Sequence, residues 1–379
     1  MKVVVAMSGG VDSAVSAAIL QQKGYEVIGV TMQIWPSDKP AHDVAKFSGC
    51  CGLDAVEDAK RIAYQLGIRH YVMNFRDIFA QRVIAHFCRE YSLGRTPNPC
   101  IKCNQYVKFS ALLERAKELD VERVATGHYA RIEKDEDSGR CFLKKAVDRN
   151  KDQSYVLYPI SQEQLKHILF PVGIFTKEQV RVKARELGLP VASKPDSQEI
   201  CFIPDNDYAG FLKGQIPQAA RPGPITDKEG HVLGKHKGTL FYTVGQRKGL
   251  SISAKEPLYV IAIQPEMNTI VVGGKQEVYG HRLTASDLNW IAVAKPGKPF
   301  TAKAKIRYHH QEAEAVITPL RGDRAYIEFR EPQAAITPGQ SIVFYEGDIV
   351  IGGGTVELTE SYFKEYPESA NNGSQHINI

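Results

Sequence analysis

No stretch of this sequence approaches the roughly 20 consecutive apolar residues that a membrane-crossing helix needs, and no excess of one charge sign dominates it. Its 48 lysines and arginines face 43 acidic residues, a net charge of +5 over 379 residues. No membrane-crossing helix is therefore expected. The amino-terminal MKVVVAMSGG has one lysine and a short apolar run that breaks at Ser8, without the length or cleavage site of a signal peptide. A cytoplasmic location is expected. Cysteine is sparse and odd in number, seven residues, which argues against a disulfide framework and for reactive or metal-bound thiols among them. Cys-x-x-Cys occurs once, at Cys100 and Cys103, so a zinc site of two such pairs is lacking. Neighbouring Cys50 and Cys51 make a poor second half. The Gly-Lys-Ser/Thr ending of a Walker loop is absent as well. So are internal repeats and long low-complexity linkers.

What is present is an alternation of strand and helix patterns over the first two hundred residues. KVVVAM (2–7) predicts a strand, 13–23 a helix closed by Gly24, 25–32 a strand, and 54–66 a helix closed by Gly67. Then follow a strand over 70–75, helices over 78–91 and 107–119, and a strand over 123–129. This order implies an α/β fold, a doubly wound parallel sheet covered on both faces, with ligands at the carboxyl ends of its strands. Past residue 205 the texture changes to Gly/Pro-punctuated hairpins. From 300 onward short alternating runs predict a small antiparallel β-barrel. The end, PESANNGSQHINI, is polar and expected to be disordered.

AMSGGVDS, from Ala6, Met7, Ser8, Gly9 and Gly10 through Val11 and Asp12 to Ser13, follows the first strand and opens a helix. Glycines let the backbone curl with its amides inward, the serines add hydroxyls, and the helix directs its positive end at the loop. Such a nest suits a phosphate or pyrophosphate. Asp12 either holds Mg²⁺ at the phosphates or caps the helix. The full string resembles the PP-loop ATP pyrophosphatases, which transfer AMP from ATP to a carbonyl or carboxyl oxygen and release pyrophosphate. The resemblance implies ATP as substrate, with Met32 and Gly127 at strand ends lining the adenosine pocket.

The thiols carry the second resemblance. Cys100 and Cys103 lie in GRTPNPCIKCN, where the prolines predict a loop, and Cys201 lies in DSQEICFI among polar residues, with Lys194 close enough in sequence to favour a thiolate. Together with ATGHYAR, NKDQSYVLY, LFPVG, HKGTLFYTVGQRKGL and TPGQSIVFYEGDIVIGGG, these strings resemble the bacterial tRNA-specific 2-thiouridylases (MnmA/TrmU family) from Lys2 to about Leu358. The resemblance implies ATP-dependent 2-thiolation of the wobble uridine of tRNA, with adenylation of the C2 oxygen followed by sulfur transfer. Cys103 is then the nucleophile and Cys201 the persulfide carrier, loaded by an upstream sulfur donor, either a cysteine desulfurase or a sulfur-relay protein. A Cys103–Cys201 disulfide would form in one version of the transfer. The best-known branch of the family has aspartate where this chain has Cys100. That leaves a second route open, in which Cys100, Cys103 and Cys201 ligate an iron–sulfur cluster. A PP-loop synthetase acting on a small molecule is the rival activity.

The same resemblance implies tRNA contacts at His128, at Lys151, Asp152 and Gln153, and at Arg307, Tyr308 and Gln340; Tyr129 is either a base contact or core. It implies three domains and a tail: a PP-loop ATP-binding catalytic domain over 1–206, a central tRNA-binding domain over 207–281, a β-barrel over 282–362 and the tail over 363–379. A monomer is expected. Net charges of +4, +3 and −2 on residues 1–206, 207–281 and 282–379 put any polyanion mainly on the first two segments.

Overall fold

The computed structural model describes residues 1–35, 53–195, 200–203, 207–359 and 375–376. Cys50, Cys51 and residues 196–199 lie outside the described residues. The chain forms two compact units, Met1–Ile84 with Pro99–Asp207 and Asp348–Val350, and Ala85–Asn98 with Tyr208–Gly347 and Ile351–Ile379.

In the first unit, β1 (Lys2–Ala6), α1 (Val11–Gln22), β2 (Glu26–Gln33), α2 (Leu53–Leu66) and β3 (Arg69–Asn74) follow in turn. β4 (Val124–Ala125), the hairpin of β5 (Ala130–Lys134) and β6 (Cys141–Lys145), and β7 (Ile168–Leu169) come later. β1, β2, β3, β4 and β7 form one sheet in the order β3-β2-β1-β4-β7, and every pairing in it is parallel. Val3, Val4 and Val5 of β1 have no exposed surface, as a central strand covered on both faces requires. α1 is rich in small residues and buries nine of its twelve positions. α2 buries Ala55, Ala59, Ile62 and Ala63 on one face, at steps of three and four residues. Gly24 and Gly67 sit just past the two helix ends at φ +81° and +66°, left-handed positions that stop a helix at little cost in glycine. Strand order reverses between β1 and β4, so the crevice at their carboxyl ends is the place for a ligand.

Three elements differ from the sequence expectation. The strand expected over 123–129 pairs only at Val124–Ala125, because the chain must turn out of the sheet to pass Gly127 against the start of α1. A Cβ on Gly127 would lie 2.7 Å from the Asp12 carbonyl carbon and the Ser13 nitrogen. The second difference is a helix that starts at Pro99, not at 107, so Cys100 and Cys103 stand on a helix and not in a loop. Proline at the first helical position costs nothing, since no intrahelical acceptor awaits an N–H there. The third is the register. Residues Ala80–Ile84 and Cys103–Ala111 adopt π-helix, each within a longer helical run.

In the second unit, β8 (Gly223–Thr226), β9 (Val232–His236), β10 (Tyr259–Gln264) and β11 (Thr269–Gly273) form a sheet ordered β10-β11-β8-β9. β12 (Tyr279–Trp290), β13 (Phe300–Lys305), β14 (Ala313–Pro319), β15 (Ala325–Ala334), β16 (Ser341–Glu346) and β17 (Ile349–Thr359) form the expected antiparallel barrel. It runs β12-β15-β14-β13-β16-β17 and closes by pairing β17 with β12. Alternate residues point inward, among them Phe300, Ala302 and Ala304, Ala315 and Ile317, and Ala325, Ile327 and Phe329. Of the tail expected to be disordered, Gln375–His376 forms a short strand parallel to β13. Residues 363–374 and 377–379 lie outside the described residues. Among the described residues no helix is long and apolar enough to cross a membrane.

Candidate active site

β1 delivers the chain into Ser8-Gly9-Gly10, and α1 begins at Val11, two residues earlier than the sequence suggested. Gly9 stands at φ +65°, and a Cβ there would press on the Ala55 backbone, 2.8 Å from its Cα, so this position admits only glycine. The Ser13 hydroxyl donates to the Gly10 carbonyl (3.0 Å) and accepts from the Ser8 amide (3.2 Å), which fixes the curl of the loop. The first-turn amides of α1 have no carbonyl of their own helix to bind, and they mark the positive end of its dipole. Backbone, glycines and dipole thus make an anion cradle.

Asp12 does not cap the helix. The N-cap is Gly10, and no side chain closes it. The Asp12 carboxylate instead accepts from the Lys177 ammonium at both oxygens (2.8 Å each) and from the Tyr129 hydroxyl (2.7 Å). Tyr129 is 3% exposed, so it is a core residue that positions Asp12 and not a surface for a base. Sequence reasoning missed Lys177. The signal was present in Thr176-Lys-Glu-Gln179, a capping box whose two reciprocal bonds start the helix Lys177–Glu186. Lys194, expected beside the thiol, binds Asp58 (2.7 Å) and the Gly9 carbonyl (3.1 Å), so its ammonium stands at the phosphate loop.

A cavity of about 260 Å³ joins this loop to the thiols. Ser8, Asp12 and Ser13 line it together with Cys100, Cys103 and Cys201, and Ala6, Met7, Met32 and Gly127 contribute as well. Cys103 and Cys201 are half-buried and Cys100 is exposed. The segment carrying Cys201 is anchored by Phe202, which is 3% exposed and meets Phe79 edge-on at 5.7 Å between ring centres. Cys88 and Cys141 are a different kind of thiol. Burial pushes both up from the ordinary thiol value, which makes them inert core residues.

His128 lines the cavity from β4's carboxyl end, with Nδ1 2.7 Å from the Thr126 hydroxyl and its ring between Phe109 and Phe170. Burial, helped by the charge of Lys108, holds it well below 6.5, so it is a neutral imidazole. Its folded-state value lies below the unfolded one. The associated stability is therefore complete above pH 6.5 and is lost as pH falls from there towards the folded-state value, at up to about 1.4 kcal/mol per pH unit. Denaturant titrations across that range should show this slope in the wild type and a shallower one in His128→Asn.

The other residues expected at tRNA have structural partners of their own. The Gln153 side-chain oxygen accepts from the Tyr129 amide (2.9 Å), and this residue also borders the cavity. Asp152 accepts from the Ala146 amide and the Ser154 hydroxyl, tying the turn that carries half-buried Lys151. In the second unit Gln340 donates to the Thr96 carbonyl (2.6 Å), and Arg307 donates to the Ala334 carbonyl (3.2 Å). Tyr308 stacks edge-on with His309, and Lys305 lies 5.8 Å from its ring centre.

A parallel sheet carrying Ser-Gly-Gly-x-Asp-Ser on the helix start at its switch point defines a PP-loop nucleotide-binding domain, and a cavity shared with three thiols narrows the class to sulfur chemistry. Residues 1–205 match the family model described as the tRNA methyl transferase HUP domain. Residues 209–274 match the PRC-barrel domain of that name, and 280–356 the aminomethyltransferase β-barrel domain. The tRNA-specific 2-thiouridylase MnmA of Acetivibrio thermocellus is 55% identical over 356 residues, which cover 94% of this chain and 99% of the relative. That of Heliobacterium modesticaldum is 57% identical, covering 93% and 92%, and that of Desulfitobacterium hafniense 50% identical, covering 94% and 98%. The chain belongs to the tRNA-specific 2-thiouridylase family. Among solved structures, a 4-thiouridine synthetase–RNA complex with bound ATP matches at 19% identity and a TM-score of 0.36, over 57% of this chain and 50% of the other.

Proposed function

We propose that this chain catalyses the ATP-dependent 2-thiolation of the wobble uridine of tRNA. The observation that carries this is one cavity lined by both the Ser-Gly-Gly-x-Asp-Ser loop and the three thiols. A methyl transferase, as the family model's description would have it, has no need of a loop for the phosphates of ATP. The cradle at the start of α1 suits the β- and γ-phosphates of ATP as a leaving group, which keeps the α-phosphorus open to attack. Uridine O2 attacks it, pyrophosphate leaves, and a poor leaving oxygen becomes AMP. A uridine reaches the cavity only after leaving its stack.

The sulfur arrives on Cys201 as a persulfide from an upstream donor. Either its terminal sulfur attacks C2 and the Cys103 thiolate then attacks Cys201 Sγ, breaking the S–S bond so that the sulfur stays on C2, or the Cys103 thiolate attacks the inner sulfur first. Both routes end in a Cys103–Cys201 disulfide; in the second, hydrosulfide leaves and attacks C2. Two thiols are oxidised as the sulfane sulfur is reduced, and a thiol reductant resets the enzyme. Asp12 would hold Mg²⁺ on the phosphates by exchanging it for Lys177, and the ion would neutralise their charge. Three thiols on one cavity also fit an iron–sulfur cluster ligated by Cys100, Cys103 and Cys201, which would supply an iron to bind sulfide. Domain 1–206 is assigned to ATP and chemistry, and 207–281 and 282–362 to tRNA, with Lys151, Arg307 and Tyr308 as contacts to phosphate or base. The enzyme is taken as a cytoplasmic monomer.

The test combines tRNA, ATP and a persulfide donor with anaerobically purified enzyme. One 2-thiouridine and one pyrophosphate per turnover, from an iron-free preparation, is the expected result. Pyrophosphate release without tRNA but with a small-molecule acceptor would overturn the tRNA assignment. Stoichiometric iron that is lost in Cys100→Ala together with activity would replace the persulfide route by the cluster.

A further inference from the structure

The π register over Cys103–Ala111 is confirmed at its end by the Leu112 amide, which donates to the carbonyl of Val107, five residues back. In an α-helix five positions turn through about 140° beyond a full revolution, nearly to the opposite face. In the π register residues i and i+5 are joined by the backbone hydrogen bond and lie on the same side of the helix, as i and i+4 do in an α-helix. Cys103 and Lys108 are such a pair. Both line the cavity, although Val107 and Phe109 on either side of Lys108 have no exposed surface.

Among the described residues lining the cavity, Lys108 is the only lysine or arginine. The other charged lining residue, Asp12, is held by Lys177 at the phosphate end. We propose that Lys108 is a catalytic residue of the sulfur-transfer half of the reaction, its ammonium the fixed cation against which the anionic sulfur is held at C2. This rests on the thiolation function proposed above. It holds for either persulfide route, since both bring an anionic sulfur to the adenylated base. In that step the C2–S bond forms, the C2–O bond breaks and the electron pair leaves with AMP. Where hydrosulfide attacks, its remaining proton passes to solvent. Lys108 keeps its proton, and no oxidant or reductant is consumed.

Two readouts on the full-length enzyme test this. The first compares alkylation of Cys103 by iodoacetate and by iodoacetamide. The ratio of the two rates cancels the thiolate fraction and reports the local charge. It should fall severalfold in Lys108→Gln and be kept in Lys108→Arg, and an unchanged ratio in Lys108→Gln overturns the proposal. The second is single-turnover kinetics with tRNA, ATP and persulfide-loaded enzyme. In Lys108→Gln, 2-thiouridine formation should fall on the order of 10²-fold while pyrophosphate release stays within about twofold, with partial recovery in Lys108→Arg. An equal fall in both steps marks a structural lysine and overturns the catalytic role. A wild type that forms no 2-thiouridine overturns the thiolation function instead, and the alkylation ratio tells the two failures apart.

Discussion

Replacing Cys201 by serine is expected to abolish 2-thiouridine formation, by on the order of 10³-fold or more, while tRNA-dependent pyrophosphate release continues. Serine has nearly the same size but cannot bear a persulfide, and the loss is one of chemistry. The fold should not notice. Cys201 is half-buried, and the neighbour that anchors its segment is Phe202 against Phe79. The phosphate loop is built from β1 and α1, which the substitution does not touch. Mass spectrometry of tRNA nucleosides reads the first outcome and a pyrophosphate assay the second. Residual 2-thiouridine at wild-type rate would remove Cys201 as sulfur carrier.

Gly9→Val should have the converse signature, losing pyrophosphate release and thiolation together. Valine is penalised twice at this position. Its backbone would have to hold φ +65°, where β-branched residues are genuine outliers. Its Cβ would also push against the Ala55 backbone, which α2 holds in place and which cannot yield as a flexible side chain could. Relieving the clash shifts the loop by ångströms, and misplacement on that scale costs on the order of 10²-fold in rate. Thermal unfolding of the variant separates a displaced loop from a lost fold. Unchanged pyrophosphate release in a folded variant would contradict the assignment of the loop to ATP.

Much of this site was legible in the sequence because local rules produce it. The β-branched run of β1, the two glycines and the small-residue helix α1 are short-range features, and they predicted both the sheet and its anion cradle. The barrel was legible for the same reason, from alternation and turn residues. What escaped was set by tertiary contact. β4 stops early because Gly127 must approach Asp12 and Ser13, a contact between residues more than a hundred positions apart. Pro99 read as part of a loop but starts a helix, since a proline is equally at home in both settings. No periodicity announces a π turn, so the shared face of Cys103 and Lys108 could not be inferred from spacing that, on an α-helix, puts them nearly opposite. Tyr129, open in the sequence between base contact and core, serves Asp12, and Gln153, expected at RNA, also holds the Tyr129 amide. Lys177 was within reach through its capping box, but its pairing with Asp12 spans 165 positions. Nothing in GRTPNPC suggested that Arg95 would pair with Glu357, where burial opposes the carboxylate but the Arg95 and Ser286 contacts hold it below its ordinary value.

The Asp12–Lys177 pair has a consequence for how the enzyme waits between turnovers. Asp12 is the sole acidic residue of AMSGGVDS, and its charge is balanced by a lysine of the same chain, itself only 12% exposed. The Asp12 charge is thus balanced from within the chain, and chelation should halt turnover while leaving the melting curve where it was. On the role proposed for Asp12, the divalent ion that accompanies the nucleotide would displace this tethered counter-ion, and Lys177 would take the post again when the products depart.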